Sequence, residues 1–137
     1  MIVQGLDGRR HSLDLRGSVP TDDEVANRSA LHLRARALLR RLYPNDYRAE
    51  ELTLPGTGGL RADFLLPGRK LLVECHGRQH YEQVGFFHES RLDFLRGQSR
   101  DRDKQRWAEL NQFSYVELPG GESDDEWRAR IFAGAAG

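Results

Sequence analysis

Two acidic residues, Asp63 and Glu74, have the spacing that most directly predicts chemistry in this sequence. They lie in two strand-like runs, residues 60–66 and 70–76, which a short Pro-Gly-Arg segment separates. A tight two-residue turn beginning at Gly68, where glycine is favoured, places the two acids directly opposite each other. Facing side chains of an antiparallel pair are about 4.5–5.5 Å apart at Cβ. Because two carboxylates that close repel each other unless a cation lies between them, the pair predicts a site for a hard divalent ion such as Mg²⁺.

Strand alternation assigns the neighbours of Glu74 to two faces of the sheet. Leu72, Glu74 and His76 are predicted to point to one face, which Asp63 shares. Cys75 points to the other face, so it is expected to be a core thiol rather than a ligand. A polar strip on the solvated face of an edge hairpin would give the same pattern. The strongly apolar flanks of both runs favour a site.

A third acid is expected on the long helix predicted over about residues 88–111. The apolar positions of this helix define one stripe: Leu92, Leu95, Trp107 and Leu110. Steps of three or four residues along that stripe reach Asp103, which is therefore expected to face inward, with Asp101 nearly opposite. Periodicity leaves open the alternative that Asp103 lies at the edge of the stripe and pairs with an arginine.

The elements that must position these residues predict one α/β domain over residues 1–137. Four runs are typical of strands: 51–54, 60–66, 70–76 and 113–118. A small hairpin is expected within residues 1–16, and capped helices are expected to begin near Pro20 and at Ser29. A short helix is expected over residues 124–132. The core, about 29–118, then has the order helix, three strands, helix, strand, with an N-terminal extension (1–20) and a C-terminal tail (119–137).

Composition bounds the class of protein and its partners. With 38% hydrophobic and 31% charged residues in 137, the chain is typical of a soluble globular domain and is expected to have no membrane partner. One cysteine excludes an intramolecular disulfide and indicates a reducing, cytoplasmic compartment. The formal net charge is zero, yet residues 28–116 hold sixteen Lys and Arg against eleven Asp and Glu, a net of +5. A central region of that charge favours a nucleic-acid partner.

The segment around the two acids resembles a nuclease signature. Asp63, followed eleven residues later by the Glu-Cys-His run that ends at His76, is similar to the PD-(D/E)xK pattern, with histidine where lysine is usual. The Gly-Arg-Gln-His run ending at His80 and the Arg-Asp-Lys run ending at Lys104 resemble the very-short-patch-repair branch, which includes phage-type and homing endonucleases. The resemblance covers about residues 29–118. It implies a restriction-endonuclease-like core, with the order α-β-β-β-α-β and a mixed sheet flanked by helices.

This resemblance implies a Mg²⁺-dependent endonuclease that hydrolyses phosphodiester bonds of DNA, double-stranded DNA foremost, in the cytoplasm at the nucleoid. Mn²⁺ is the expected substitute for Mg²⁺. The implied metal ligands are Asp63, Glu74 and the backbone carbonyl of Cys75. A metal held there would polarise the phosphoryl oxygen.

The resemblance also implies roles for the basic residues and histidines. His80 is the expected general base, oriented by Asp103, because imidazole exchanges a proton near neutral pH. His76 is expected to contact the scissile phosphate. Five residues are expected to contact the nucleic acid: Arg78, Gln79, Arg100, Arg102 and Lys104.

Several alternatives stay open at this stage. The family usually has an acid on the first helix near the position of His32, so either His32 takes that role or the role is absent. A nucleic-acid-binding module with weak or no turnover would share the same fold. A zinc-stabilised domain using Cys75, His76, His80 and His88 is disfavoured because alternation separates Cys75 from His76. Whether the protein is a monomer or a homodimer is undecided.

Overall fold

The structure of the protein, a computed structural model, describes residues 1–15, 29–77 and 88–136. Strands β1 (Ile2–Gln4) and β2 (Arg10–Ser12) pair antiparallel and form the hairpin predicted at the N-terminus. The helix predicted to begin near Pro20 lies outside the described residues.

The described chain otherwise forms a four-stranded mixed sheet flanked by helices. The strands are β3 (Ala49–Thr53), β4 (Arg61–Leu66), β5 (Leu71–His76) and β6 (Ser114–Pro119). Their order in the sheet is β3-β4-β5-β6, in which the β5–β6 pair is parallel and the other two pairs are antiparallel. The helices are α1 (Ala30–Leu42), α2 (His88–Leu110) and α3 (Asp124–Ala136). The mixed α/β class and the order helix, three strands, helix, strand are therefore confirmed.

Helix α1 begins where its capping residue predicts. Ser29 has extended backbone dihedrals, and its Oγ accepts a hydrogen bond of 3.1 Å from the backbone N–H of His32. This bond satisfies one of the N–H groups that a helix start leaves without a partner. The helix ends at Leu42, shortly before Pro44, which cannot continue it.

Two hydrophobic clusters hold the sheet, one on each face. The first contains Leu39 of α1, Phe64 and Val73 of the sheet, and Trp127 of α3. The second contains Val3 of the N-terminal hairpin, Leu65 and Leu72 of the sheet, and Trp107 of α2. Helices α1 and α3 therefore cover one face, and α2 with the N-terminal hairpin covers the other. Both the N-terminal extension and the C-terminal tail supply core residues.

The connection between β4 and β5 differs from the predicted two-residue turn, but the register does not. Phe64 pairs with Val73 and Leu66 with Leu71, which is the predicted pairing. Pro67–Arg69 forms a single 3₁₀ turn, and Lys70 closes it in a left-handed conformation with φ of 51°. Gly68 has no positive φ, because residues of a 3₁₀ turn have right-handed backbone dihedrals.

Side-chain alternation is interrupted in β3 and β4 at the level of Asp63. Glu50 pairs with Phe64 and Leu52 pairs with Ala62, which leaves Glu51 opposite Asp63 without a ladder pair. Ala62 belongs to the second cluster and Phe64 to the first, although they are two residues apart and would share a face in a regular strand. Glu51 has a φ of 48°, which a side chain other than glycine rarely adopts. The alternation of side chains between the two faces of the sheet is therefore interrupted at Glu51 and Asp63 and starts again beyond them.

Helix α2 packs through different residues from those that the leucine pattern predicts. Leu92, Leu95 and Leu110 are 40%, 48% and 50% exposed, so the predicted stripe is wrong at those positions. Trp107 and Ala108 are fully buried. No described helix has both the length and the apolar character needed to cross a membrane.

Candidate functional site

The two acids that the sequence pairs lie together where strands β4 and β5 separate. The backbone N–H of Asp63 donates a hydrogen bond of 2.8 Å to Oε2 of Glu74. The backbone N–H of Cys75 donates one of 2.8 Å to Oδ2 of Asp63. Each carboxylate thus replaces a ladder bond that the separated strands do not make, and this holds both acids in fixed positions.

Burial and charge both act on the carboxyl group of Glu74. Its side chain is 1% exposed. Burial raises the pKa of Glu74 to about 8, and the negative charge of Asp63 adds to the rise. The ammonium of Lys104 opposes both effects and lowers this pKa. The pair is therefore electrostatically costly when both acids are ionised, as the sequence predicts.

Lys104 is the cation closest to this pair among the described residues. Its Nζ lies 2.5 Å from Oε1 of Glu74, and its side chain is 17% exposed. Oε1 is buried and has no hydrogen bond of good geometry, so the ion pair is its contact. The expectation that Lys104 contacts nucleic acid stays a prediction, because its ammonium lies at Glu74 in this structure.

An open cleft of about 310 Å³ lies beside the acid pair. Its polar lining comes from three elements: Glu51 of β3, Arg61 and Asp63 of β4, and Arg100 and Lys104 of α2. Arg100, predicted to contact nucleic acid, is exposed and lies at this cleft. The cleft therefore presents carboxylates and cations to the same small volume.

His76 lies on the α2 face of the sheet, as the alternation predicts, and is 4% exposed. Its Nε2 is 3.7 Å from Oδ2 of Asp101, and its Nδ1 is 3.5 Å from Oε2 of Glu117. Both ring nitrogens therefore face a carboxylate, which restricts the orientation of the ring. His76 is buried and is not among the residues that line the cleft, so its contact with a phosphate stays a prediction.

The structure corrects the assignment of the inward acid on α2. Asp101 is 19% exposed and faces His76. Asp103 is 43% exposed and lies 4.0 Å from a guanidinium nitrogen of Arg106. The inward position therefore belongs to Asp101, and Asp103 has the arginine-paired arrangement that the sequence left as the alternative. The inward face of α2 carries polar residues here, so leucine spacing misassigns it.

His32 lies on the other face of the sheet from Glu74. Its ring stacks on Phe64 at 4.4 Å between centroids, and its Nε2 is 2.8 Å from Oε1 of Glu50. The guanidinium groups of Arg36 and Arg48 each lie 3.0 Å from Oε2 of Glu50. Although burial alone would raise it, the hydrogen bonds of His32 and Arg48 hold the pKa of Glu50 below its ordinary value. His32 is therefore part of a buried ion cluster rather than of the cleft.

Cys75 packs against the first hydrophobic cluster, on the opposite side from His76. Burial raises the pKa of its thiol well above the ordinary range, and the charges of Asp63 and Glu74 act in the same direction. A neutral, half-buried thiol on the core face is a poor zinc ligand.

Three of the predicted site residues, Arg78, Gln79 and His80, lie outside the described residues, as does the side chain of His88. Arg102 is described and exposed. The proposed contact between His80 and Asp103 therefore stays a prediction.

Sequence reasoning missed Glu50, Glu51, Arg61 and Asp101. Arg61 could have been found, because it precedes Asp63 by two residues in the same strand. No sequence signal marks Glu51, since its place in the cleft depends on a left-handed backbone conformation.

Among the described residues, no three His, Cys, Asp or Glu side chains converge to form a ready metal cage. Comparisons of the chain with protein-family models, with curated proteins and with solved structures each find no match. The function must therefore follow from the chemistry of the cleft and of the acid pair beneath it.

Proposed function

We propose that the protein is a metal-dependent DNA endonuclease with a restriction-endonuclease-like core. The observation that carries this proposal is Asp63, which lines a cleft together with Arg61 and Arg100 and is joined to the buried Glu74 by a backbone hydrogen bond. Two carboxylates beside cations are a donor set and a charge pattern that suit metal-dependent phosphodiester hydrolysis.

The chemistry of the residues present fits a Mg²⁺ ion. Two side chains would supply carboxylate oxygens, and one backbone carbonyl would supply a third oxygen. Asp63 and Glu74 are hard oxygen donors, and Oε1 of Glu74 is a buried oxygen without a well-formed hydrogen bond. The backbone carbonyl of Cys75 is the proposed third donor. A bound Mg²⁺ or Mn²⁺ would polarise the phosphoryl oxygen and stabilise the charge that develops on it.

The cations of the site support a phosphate-bearing substrate. Arg61 and Arg100 line the cleft, and guanidinium groups bind phosphate oxygens in bidentate geometry. His76 stands where the resembled signature usually has lysine, whereas Lys104 brings an ammonium to Glu74 from α2. In the resembled signature the positive charge comes from a lysine on the strand, whereas in this chain it comes from Lys104 on helix α2.

Two histidines compete for the role of general base. His80 is the residue proposed from the sequence, with Asp103 as its orienting acid. His76 is the alternative, because Asp101 and Glu117 already lie near its ring nitrogens. Substitution of each histidine by alanine separates them, because loss of the base is expected to slow cleavage about 10²–10⁴-fold. The other substitution is expected to weaken phosphate contact or protein stability instead.

A second candidate function is DNA binding without cleavage. The ion pair between Lys104 and Glu74 supports it, because an ammonium 2.5 Å from Oε1 occupies an oxygen that the metal would need. The same fold and the same basic cleft would then serve recognition alone.

Cleavage of supercoiled plasmid distinguishes the two functions. The intact protein is incubated with plasmid and Mg²⁺, Mn²⁺ or EDTA, beside the variants Asp63→Asn and Asp125→Asn. Asp125 is the matched control, since its side chain is 89% exposed on α3. Metal-dependent nicking that Asp63→Asn abolishes and Asp125→Asn retains supports the nuclease. Measurable DNA binding with intact supercoiled plasmid in both metals supports the second function.

A further inference from the structure

Lys104 reaches the acid pair from a rigidly placed helix. Trp107 and Ala108, within one turn of it, are fully buried, and Nε1 of Trp107 donates a hydrogen bond of 3.1 Å to the carbonyl of Pro55. This anchors the backbone of α2, so the position of Lys104 on the sheet side is set by packing and not by its own charge. Its side chain, with four flexible carbons, is the part that can move.

The Lys104 ammonium and a divalent metal ion cannot both lie at Oε1 of Glu74. The Lys104 ammonium lies 2.5 Å from Oε1 of Glu74, and the other oxygen of Glu74 accepts the backbone N–H of Asp63. A divalent cation on the same oxygen would lie beside the ammonium, and like charges a few ångströms apart in a partly buried site repel strongly. The ammonium and a metal therefore exclude each other at Oε1.

We propose that Lys104 is a tethered counter-ion, whose ammonium holds Oε1 of ionised Glu74 in the metal-free protein and leaves it when a divalent cation binds the acid pair. This inference rests on the proposed metal-dependent function. The displaced ammonium remains in the cleft, which Lys104 lines together with Arg61 and Arg100. There it adds to the cations that face a substrate phosphate. Lys104 thus acts as a positioning residue for the acids first and as a phosphate contact second.

Calorimetric titration with Mg²⁺ tests the competition directly. The variants are Lys104→Met, which keeps an unbranched side chain but removes the ammonium, and Lys70→Met, which changes the only other lysine. Lys70 is a suitable control because its Nζ lies over the Phe113 ring, 4.9 Å from the centroid, and not at the acid pair. All three proteins are titrated in the same alkaline buffer, so that competition between a proton and Mg²⁺ for the carboxylates stays small.

We expect Lys104→Met to bind Mg²⁺ about tenfold more tightly than the natural chain, and Lys70→Met to bind it equally. Equal or weaker binding by Lys104→Met overturns the inference. Equal tightening by both variants also overturns it, because a general loss of positive charge would then explain the change.

A second measurement uses the natural sequence, in case Lys104→Met does not fold. The protein is treated with an amine-acylating reagent with and without Mg²⁺, and acylation of each lysine is followed by peptide mass spectrometry. We expect Mg²⁺ to increase acylation of Lys104 several-fold and to leave Lys70 unchanged. An unchanged rate at Lys104 under saturating Mg²⁺ overturns the inference.

Failure of this inference is distinguishable from failure of the proposed function. If the natural chain cleaves plasmid and Lys104→Met has an unchanged Mg²⁺ affinity, the proposed nuclease function stands and the counter-ion inference fails. If Lys104→Met binds Mg²⁺ more tightly and the natural chain does not cleave plasmid, the counter-ion inference stands and the proposed nuclease function fails.

Discussion

The raised pKa of Glu74 predicts an unusual dependence of stability on pH in the absence of metal. In the unfolded chain this carboxyl group ionises near 4.5, whereas burial and Asp63 raise its pKa in the folded protein to about 8. Between those values the unfolded state loses its proton and the folded state keeps it. The free energy of unfolding contributed by this group is therefore fully present below about pH 4.5 and is lost as pH rises towards 8.

The size of the effect follows from the shift. Each pH unit within the window corresponds to about 1.4 kcal/mol, so Glu74 removes about 3 kcal/mol between pH 5 and pH 7. Glu74→Gln keeps the shape and an oxygen that accepts the N–H of Asp63, but it does not titrate. We therefore expect this variant to gain stability relative to the natural chain as pH rises.

Urea unfolding measures this difference. The fluorescence of Trp107 and Trp127, both fully buried, reports unfolding, and EDTA keeps the protein free of metal. The difference in unfolding free energy between Glu74→Gln and the natural chain is determined at pH 5, 6, 7 and 8. A difference that stays constant over that range would refute the link between burial, the Asp63 charge and the protonation of Glu74.

Three further substitutions test the structure. Asp63→Asn should abolish metal-dependent cleavage yet keep the fold, because the amide oxygen can still accept the N–H of Cys75; a large fall in melting temperature would contradict this. Gly56→Ala should cost about 2–4 kcal/mol in urea unfolding, because Gly56 has φ of 74° and a Cβ there would overlap the Cα of Gly5; a loss below 1 kcal/mol would show that the hairpin can move aside. Glu50→Gln should cost about 3–5 kcal/mol by leaving the guanidinium groups of Arg36 and Arg48 without their shared anion, and an unchanged unfolding midpoint would show that these ion pairs do not stabilise the fold.

The sequence predicts most of the regular elements because their signals are local. Ser29 caps α1 and Pro44 follows its end, and the alternation from Leu71 to His76 assigns the faces of β5. The pairing of Asp63 with Glu74 was predictable although the turn was not, because a longer connection can return the chain in the same register.

The parts of the site that sequence reasoning missed depend on contacts between distant elements. Asp101 faces His76, yet a leucine stripe indicates Asp103, because exposed leucines carry the same periodicity as buried ones. Likewise, Lys104 looks like one of many solvated cations on α2 until the packing of Trp107 places it beside Glu74. Nothing local distinguishes a basic residue that points inward from one that points outward.

At Glu51 and Asp63 the regular alternation of side chains is interrupted. This interruption separates the need for polar residues at the cleft from the need for apolar residues in the core, which a regular strand would couple. In a strictly alternating strand, a carboxylate that points to one surface takes the place of an apolar side chain there. Here Ala62 and Leu65 both remain in the hydrophobic cluster on the α2 side, on either side of Asp63. The acids can consequently be exchanged for other polar residues without loss of apolar packing. The same scaffold could thus host different chemistry at that cleft at little cost to its folding.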